Sequence, residues 1–271
     1  MSTKRLTFPG ALAILALVVG VATCPGPQNN TTQTKRPRFH AVNRMVKEDL
    51  SNSTSQSLNW SGYAATGSGF TKATASWVVP KATCSSGNQY ASFWVGIDGY
   101  DSPTVEQIGT NSDCSGSTPS YLAWYEFCCI EPEIPIPSIT VTPGDIIRAA
   151  VSYNGTEFIL TIKDVTTGKA FRKTGNISGA QRLSAEWIAE APSSVGGILP
   201  LTNFGTALFG KDSTGVAVTN YATLGGATKP IGKFSTYYQI TMVDNSGNPK
   251  AVPSALSTDL TSFSDQWVAS E

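Results

Sequence analysis

Histidine is almost absent from this chain: the single one among 271 residues is His40. It falls in a polar N-terminal stretch, so the body that follows is expected to hold no imidazole. That excludes Ser-His-Asp and Cys-His nucleophilic centres and the usual His-ligated zinc sites. Glycine-rich phosphate loops are missing as well. No G-x-x-x-x-G-K pattern occurs, and Gly67-x-Gly69 lacks a third glycine and a helix behind it. Charge is scarce, at 14% of residues against roughly a quarter in ordinary globular proteins, and no amphipathic helix pattern is sustained. What remains is carboxylate, amide, hydroxyl and lysine chemistry on a chain rich in Gly, Ser, Thr and aromatics, which suits strands and turns.

The net charge is zero but uneven. Residues 1–50 carry seven basic and two acidic side chains, a balance of +5, and the remainder carries 12 basic and 17 acidic, a balance of −5. An acidic body excludes nucleic acid as a natural partner. Lys4 and Arg5, the apolar run Ala11 to Val21 and the small residues before Cys24 read as a secretory signal over residues 1–24. Lipid anchoring at Cys24 is a secondary reading, because Thr23 sits where that signal wants Gly, Ala or Ser. Residues 25–56 read as a basic pro-segment or linker, and residues 57–271 as one catalytic domain. The expected product is a secreted, monomeric protein without cofactor or metal.

Cys84 and Cys114 each lie in a Ser/Gly-rich stretch and are expected to form a bridge, although pairing with the adjacent Cys128 and Cys129 is the competing arrangement. Asn52, Asn59, Asn154 and Asn176 open Asn-x-Ser/Thr sites.

From Leu58 onward, short β-rich runs alternate with turn signals. Strands are expected at 59–66, 72–79, 90–97, 121–127, 146–153, 157–164, 183–190, 203–209, 215–219 and 234–243, with hairpin turns at Asn154-Gly155 and Thr167-Gly168. Strands this short and this evenly spaced mean a sandwich or a closed barrel.

Six segments stand out in order: Asn59-Trp60-Ser61-Gly62-Tyr63, Ala75-Ser76-Trp77-Val78-Val79-Pro80, Phe93-Trp94-Val95-Gly96-Ile97-Asp98-Gly99 with Val105-Glu106-Gln107-Ile108-Gly109, Trp124-Tyr125-Glu126, Ser184-Ala185-Glu186-Trp187-Ile188-Ala189-Glu190, and Asn203-Phe204-Gly205. In kind, order and spacing the chain resembles the glutamic peptidases (eqolisins) from Leu58 to its end. The resemblance implies an all-β, antiparallel two-sheet sandwich of the lectin-like, concanavalin type and an acid-acting endopeptidase. It further implies that Gln107 and Glu186 are the catalytic pair, that Trp94 and Asp98 line the cleft, and that Glu126 is a supporting acid. The stretch Cys128-Cys129-Ile130-Glu131-Pro132 departs from the family's pattern, which bears on the local cleft wall.

The residues themselves agree with this chemistry. In a strand Glu186 and Glu190 share a face and Trp187 takes the other. An acid on the inner face of a sandwich must line a cleft or find a partner. A glutamate can take a proton from water while a glutamine amide donates to the oxyanion, and a carboxylate still works as a base in acid, where imidazole is protonated. Taken singly, the residues read otherwise: Gln107 as a loop amide, Glu186 as a solvent-facing strand residue, and Trp94, Trp124 and Trp187 as core. Two other functions compete, a carbohydrate-binding module and a glycosidase using Glu126 and Glu186. The peptidase reading adds peptides as substrate and the pro-segment as intramolecular inhibitor, with Lys35 to Lys47 against Asp98, Glu126 and Glu186, shed to leave a new start between residues 45 and 60.

Overall fold

The structure, a computed structural model, describes residues 38–128 and 132–271, all within one compact unit. The expected leader with Cys24, the first part of the basic segment with Lys35 and Arg36, and Cys129 lie outside the described residues.

Alternation of side chains sets the layers. The strand Phe70–Val78 turns Ala73, Ala75 and Trp77 inward, Ile146–Tyr153 turns Ile147, Ala149 and Val151 inward, and Phe158–Asp164 contributes Phe158, Leu160 and Ile162. Facing them, Ser92–Ile97 supplies Phe93, Val95 and Ile97, and Ser184–Glu190 supplies Ala185, Trp187 and Ala189 to the same apolar cluster. Two sheets meeting over one core make the antiparallel β-sandwich that the motif pattern implied.

The first sheet runs Met45–Asp49, Thr54–Ser57, Tyr237–Val243, Trp60–Thr66, Ser184–Glu190, Ser92–Ile97, Val105–Ser115, Thr118–Cys128 and Ile134–Pro135. Its one parallel pairing joins Thr54–Ser57 to Tyr237–Val243. The second sheet runs Ala170–Gly175, Phe158–Asp164, Ile146–Tyr153 and Phe70–Val78, with Thr206–Phe209 and Tyr221–Leu224 on the far side of the last. Pro249–Pro253 and Phe263–Trp267 link the two sheets at one edge.

Nine of the ten expected strands are present, and both expected hairpins join paired strands. The run 215–219 is not a strand: a one-turn helix Lys211–Thr214 ends there on Gly215 in the left-handed conformation. The larger difference is Val105–Ser115, an eleven-residue strand at the heart of the first sheet, where no strand was expected. Its inward side chains on the second face are Gln107, Gly109 and Asn111, so no apolar alternation announces it. The Met45–Asp49 and Thr54–Ser57 hairpin also belongs to the sheet, inside the stretch read as linker.

Cys84 and Cys114 form the expected disulfide, closing a separation of 30 residues. Cys114 sits within the Val105–Ser115 strand, so the bridge ties a neighbouring loop to the strand that carries Gln107. Asn59 is fully buried and its side chain is hydrogen-bonded to residues 41, 42 and 44, which leaves Asn52, Asn154 and Asn176 as the exposed sites among the four. Replacing both bridged cysteines by serine is expected to cost about 3 kcal/mol by loop entropy. Denaturant unfolding of the double variant against the parent, with both monitored by tryptophan fluorescence, measures it; an unchanged midpoint would refute the estimate.

Candidate active site

The face of the first sheet that points away from the main core carries the candidate residues in one row. Glu186 pairs with Gly96, Gly96 with Gln107, and Gln107 with Glu126, on four consecutive strands. Directly paired residues in a sheet project to the same face. Glu186 and Gln107 therefore flank Gly96, about 10 Å apart at the backbone for two strand spacings. Gly96 keeps that gap open. A Cβ there would lie 2.8 Å from the Trp94 ring and 3.3 Å from the Glu106 carbonyl. The next row holds Ile188, Trp94, Gly109 and Trp124, and Trp60, Trp94, Trp124 and Ile188 form a second apolar cluster on this face. Gly109 is required there, since a Cβ would lie 2.4 Å from the Phe93 carbonyl.

Both bland readings of the pair are overturned. Gln107 lies in a strand and not a loop, and Gln107 and Glu186 are fully buried.

What buries them is the stretch from Arg38 to Arg44, which crosses the row with many of its backbone groups hydrogen-bonded to the sandwich. Phe39 exchanges two hydrogen bonds with Ser193, at 2.9 and 2.8 Å, and the Arg38 carbonyl accepts from the Glu133 amide. The His40 amide donates to Glu126 Oε2 at 3.0 Å, and its carbonyl accepts from Gln107 Nε2 at 3.2 Å. Trp60 Nε1 and Asn59 Nδ2 donate to the Ala41 carbonyl, and the Asn43 amide donates to the Gly99 carbonyl.

The expectation that the folded body holds no imidazole is corrected here. His40 is fully buried, stacked on Trp124 at 3.7 Å and 8° between planes. Its Nδ1 lies 3.1 Å from Glu190 Oε2 and its Nε2 2.8 Å from Glu133 Oε2. Burial opposes its charge, but Glu190, Glu133 and Glu126 outweigh that and raise its pKa to about 10. Arg38 follows the same logic: it pairs with Asp113 at 2.8 Å and Glu133 at 3.5 Å and lies over the Tyr90 ring.

Two further expectations find definite places. Trp94 donates from Nε1 to Glu190 at 2.8 Å. Asp98, at a left-handed φ of 71°, accepts the amides of Gln181, Arg182 and Leu183 and the Ser102 hydroxyl. Its carboxylate is spent on fixing the chain that enters the Glu186 strand. Reasoning on the sequence missed Glu133, which lies one position past the stretch that departs from the family's pattern. It gave Glu190 no role, although the shared face with Glu186 was the available signal.

Desolvation pushes most carboxyls of this face above their ordinary pKa. Burial pushes Glu186 well above the ordinary range, with Asp98, Glu106 and Asp101 adding to it and the Ser184 hydroxyl opposing. Burial likewise raises Glu126 to about 8 and Glu190 above its usual value, each against the His40 charge. Glu133 is the exception. Burial acts upward on it too, but the His40 hydrogen bond and the Arg38 charge bring it below the usual carboxylate range.

The peptidase A4 family model matches residues 58–247. The chain belongs to the peptidase A4 family. Aspergillopepsin-2 of Aspergillus niger is 30% identical over 177 residues, which is 56% of this chain and 62% of that protein. Scytalidopepsin B of Scytalidium lignicola is 34% identical over 138 residues, 49% of this chain and 51% of that protein. The matches thus span between half and two thirds of these curated relatives. A solved scytalido-glutamic peptidase, carrying a peptide-based transition state analog, aligns at a TM-score of 0.63 and 26% identity over 78% of this chain and 98% of that one.

For this A4 member the proton balance fixes the sign of its pH stability. Asp113 is raised to about 6 and Asp265 to about 7, chiefly by burial, and Glu126 to about 8. Carboxyls raised on folding contribute stability that is complete below their unfolded pKa near 4 and lost as pH rises through the folded value. The melting temperature of the intact chain is therefore expected to fall steadily from pH 4 to pH 8. Scanning calorimetry across that range checks it, and a stability maximum above pH 7 would contradict it.

Proposed function

We propose that this chain is the secreted, monomeric precursor of an endopeptidase that hydrolyses peptide bonds in acid, with Glu186 as general base and then acid and Gln107 as oxyanion donor. The observation that carries the reading is the hydrogen bond from the Gln107 carboxamide to a backbone carbonyl. That is the contact an oxyanion donor makes with a scissile carbonyl.

The chemistry follows from the row. With water admitted, Glu186 ionises and removes a proton from a water molecule beside Gly96. The water oxygen attacks the carbonyl carbon and the C=O electrons move to oxygen, where the Gln107 NH2 stabilises them. Glu186 returns the proton to the departing nitrogen as the C–N bond breaks. Trp94 and Glu126 frame the site, and Asp98 fixes the approach to Glu186.

The stretch ending at Arg44 acts as the intramolecular inhibitor. It keeps water from the row, and burial raises the Glu186 pKa, so hydrolysis of the bond held there waits until water reaches Glu186. A basic leader against an acidic body would let acid loosen this contact as carboxylates gain protons. The pKa directions favour another route. Lowering the pH protonates Glu133 and weakens its hold on Arg38 and His40, but Glu126, Glu186 and Glu190 prefer their protons in the covered state, so acid alone does not expel the segment. Cleavage at His40–Ala41, the peptide bond whose carbonyl Gln107 holds, is the route this geometry supports. It lies upstream of the 45–60 window, where a cut would strip the Met45–Ser57 hairpin from the sheet.

The rival glycosidase reading pairs Glu126 with Glu186. They stand three strand spacings apart, whereas the Gln107 amide is two from Glu186 and so is the nearer polar partner.

On denatured protein at acidic pH, Glu186→Gln is expected to reduce hydrolysis to background with the fold intact by circular dichroism. Gln107→Ala should lower turnover by about a hundredfold or more, and Gln107→Glu further wherever the new carboxyl is ionised. Activity surviving in both Glu186→Gln and Gln107→Ala would end the reading. N-terminal sequencing after acidification should find Ala41 as the first new start in the parent chain and none in Glu186→Gln. A fully active enzyme that still carries Arg38 to Arg44 would refute the inhibitor role.

A further inference from the structure

We infer that the pocket holding the His40 ring is the subsite for the residue that donates the scissile carbonyl, and that it selects a planar cation, the protonated imidazole of histidine. This deepens the peptidase reading and rests on it. The assignment follows from connectivity: the residue whose carbonyl Gln107 holds is the residue whose side chain enters this pocket.

The pocket matches an imidazolium group by group. Its floor is the Trp124 ring, parallel to the imidazole at 3.7 Å. Its two ends are carboxylates, Glu190 for Nδ1 and Glu133 for Nε2, and every one of these side chains is at least nine-tenths buried. Both acids are oriented by other groups. Trp94 Nε1 donates to Glu190 Oε2 at 2.8 Å, and Asn111 Nδ2 donates to Glu133 Oε2 at 2.9 Å. A phenyl ring would stack equally well but take one donor and the compensating positive charge away from each of the two buried acids, which costs heavily. A lysine ammonium carries the charge on a flexible stem, cannot stack face to face, and presents its donors from one point instead of two opposite ends. An acidic residue would add a third negative group.

The test uses acid-treated full-length protein and four synthetic peptides that differ only at the residue before the bond, carrying His, Phe, Leu or Lys, assayed near pH 4.5, where free histidine is protonated. The His peptide is expected to exceed the Phe and Lys peptides in kcat/KM by about tenfold or more, in line with a buried charge-assisted hydrogen bond. Glu133→Gln is expected to pull the His-to-Phe ratio towards one. A ratio of one or less in the parent protein, or Lys equal to His, would overturn the subsite while leaving the peptidase reading standing; these parent measurements decide even if the variant does not fold. Cleavage of none of the peptides and of no denatured protein would overturn the peptidase reading itself.

Discussion

A carboxyl group removed from water must be protonated, paired with a cation or supplied with hydrogen-bond donors. On the outer face of the first sheet Glu126, Glu133, Glu186 and Glu190 all lie under one crossing segment, and each meets that condition differently. Glu133 stays ionised against Arg38 and His40. Glu190 takes donors from His40 and Trp94, and Glu126 takes the His40 amide. Glu186 has protonation as its remedy. One short basic stretch therefore bears on the charge of three of these four acids, Glu126, Glu133 and Glu190.

The sheet can carry such a face because both of its sides are buried. One side packs Phe93, Val95, Ala185 and Trp187 into the main core. The other presents amides, acids and tryptophans, of which Gln107, Glu126 and Trp60 bond the backbone of the crossing segment. Gly96 and Gly109 let that backbone approach: where other sheets have side chains, these two positions have contacts too close for a Cβ. The disulfide at Cys114 and the three amides held by Asp98 fix the strands on either side of Gly96, so that Gln107 and Glu186 face each other across the gap.

Strand and turn chemistry made most of the sandwich legible in the sequence, because runs such as Ile146–Tyr153 and Phe158–Asp164 are half-buried and alternate cleanly. Val105–Ser115 was not legible. A strand buried on both faces, with Gln, Asn and Gly turned to a cleft, has no apolar period to detect. The same property hid the status of Gln107, which composition alone assigns to a loop.

The residue types in the chain by themselves narrowed the chemistry to carboxylate, amide, hydroxyl and lysine groups, since the one histidine falls in a leader-like stretch, and strand alternation put Glu186 and Glu190 on one face. Only the tertiary structure decided that His40 is inside the fold, that Glu133 and Glu190 hold its ring, and that its carbonyl meets Gln107. These contacts join residues 86, 93 and 150 positions apart to residue 40, and no local pattern records a pairing between an irregular segment and a sheet face, because its energy comes from desolvating groups that meet only after the strands have assembled.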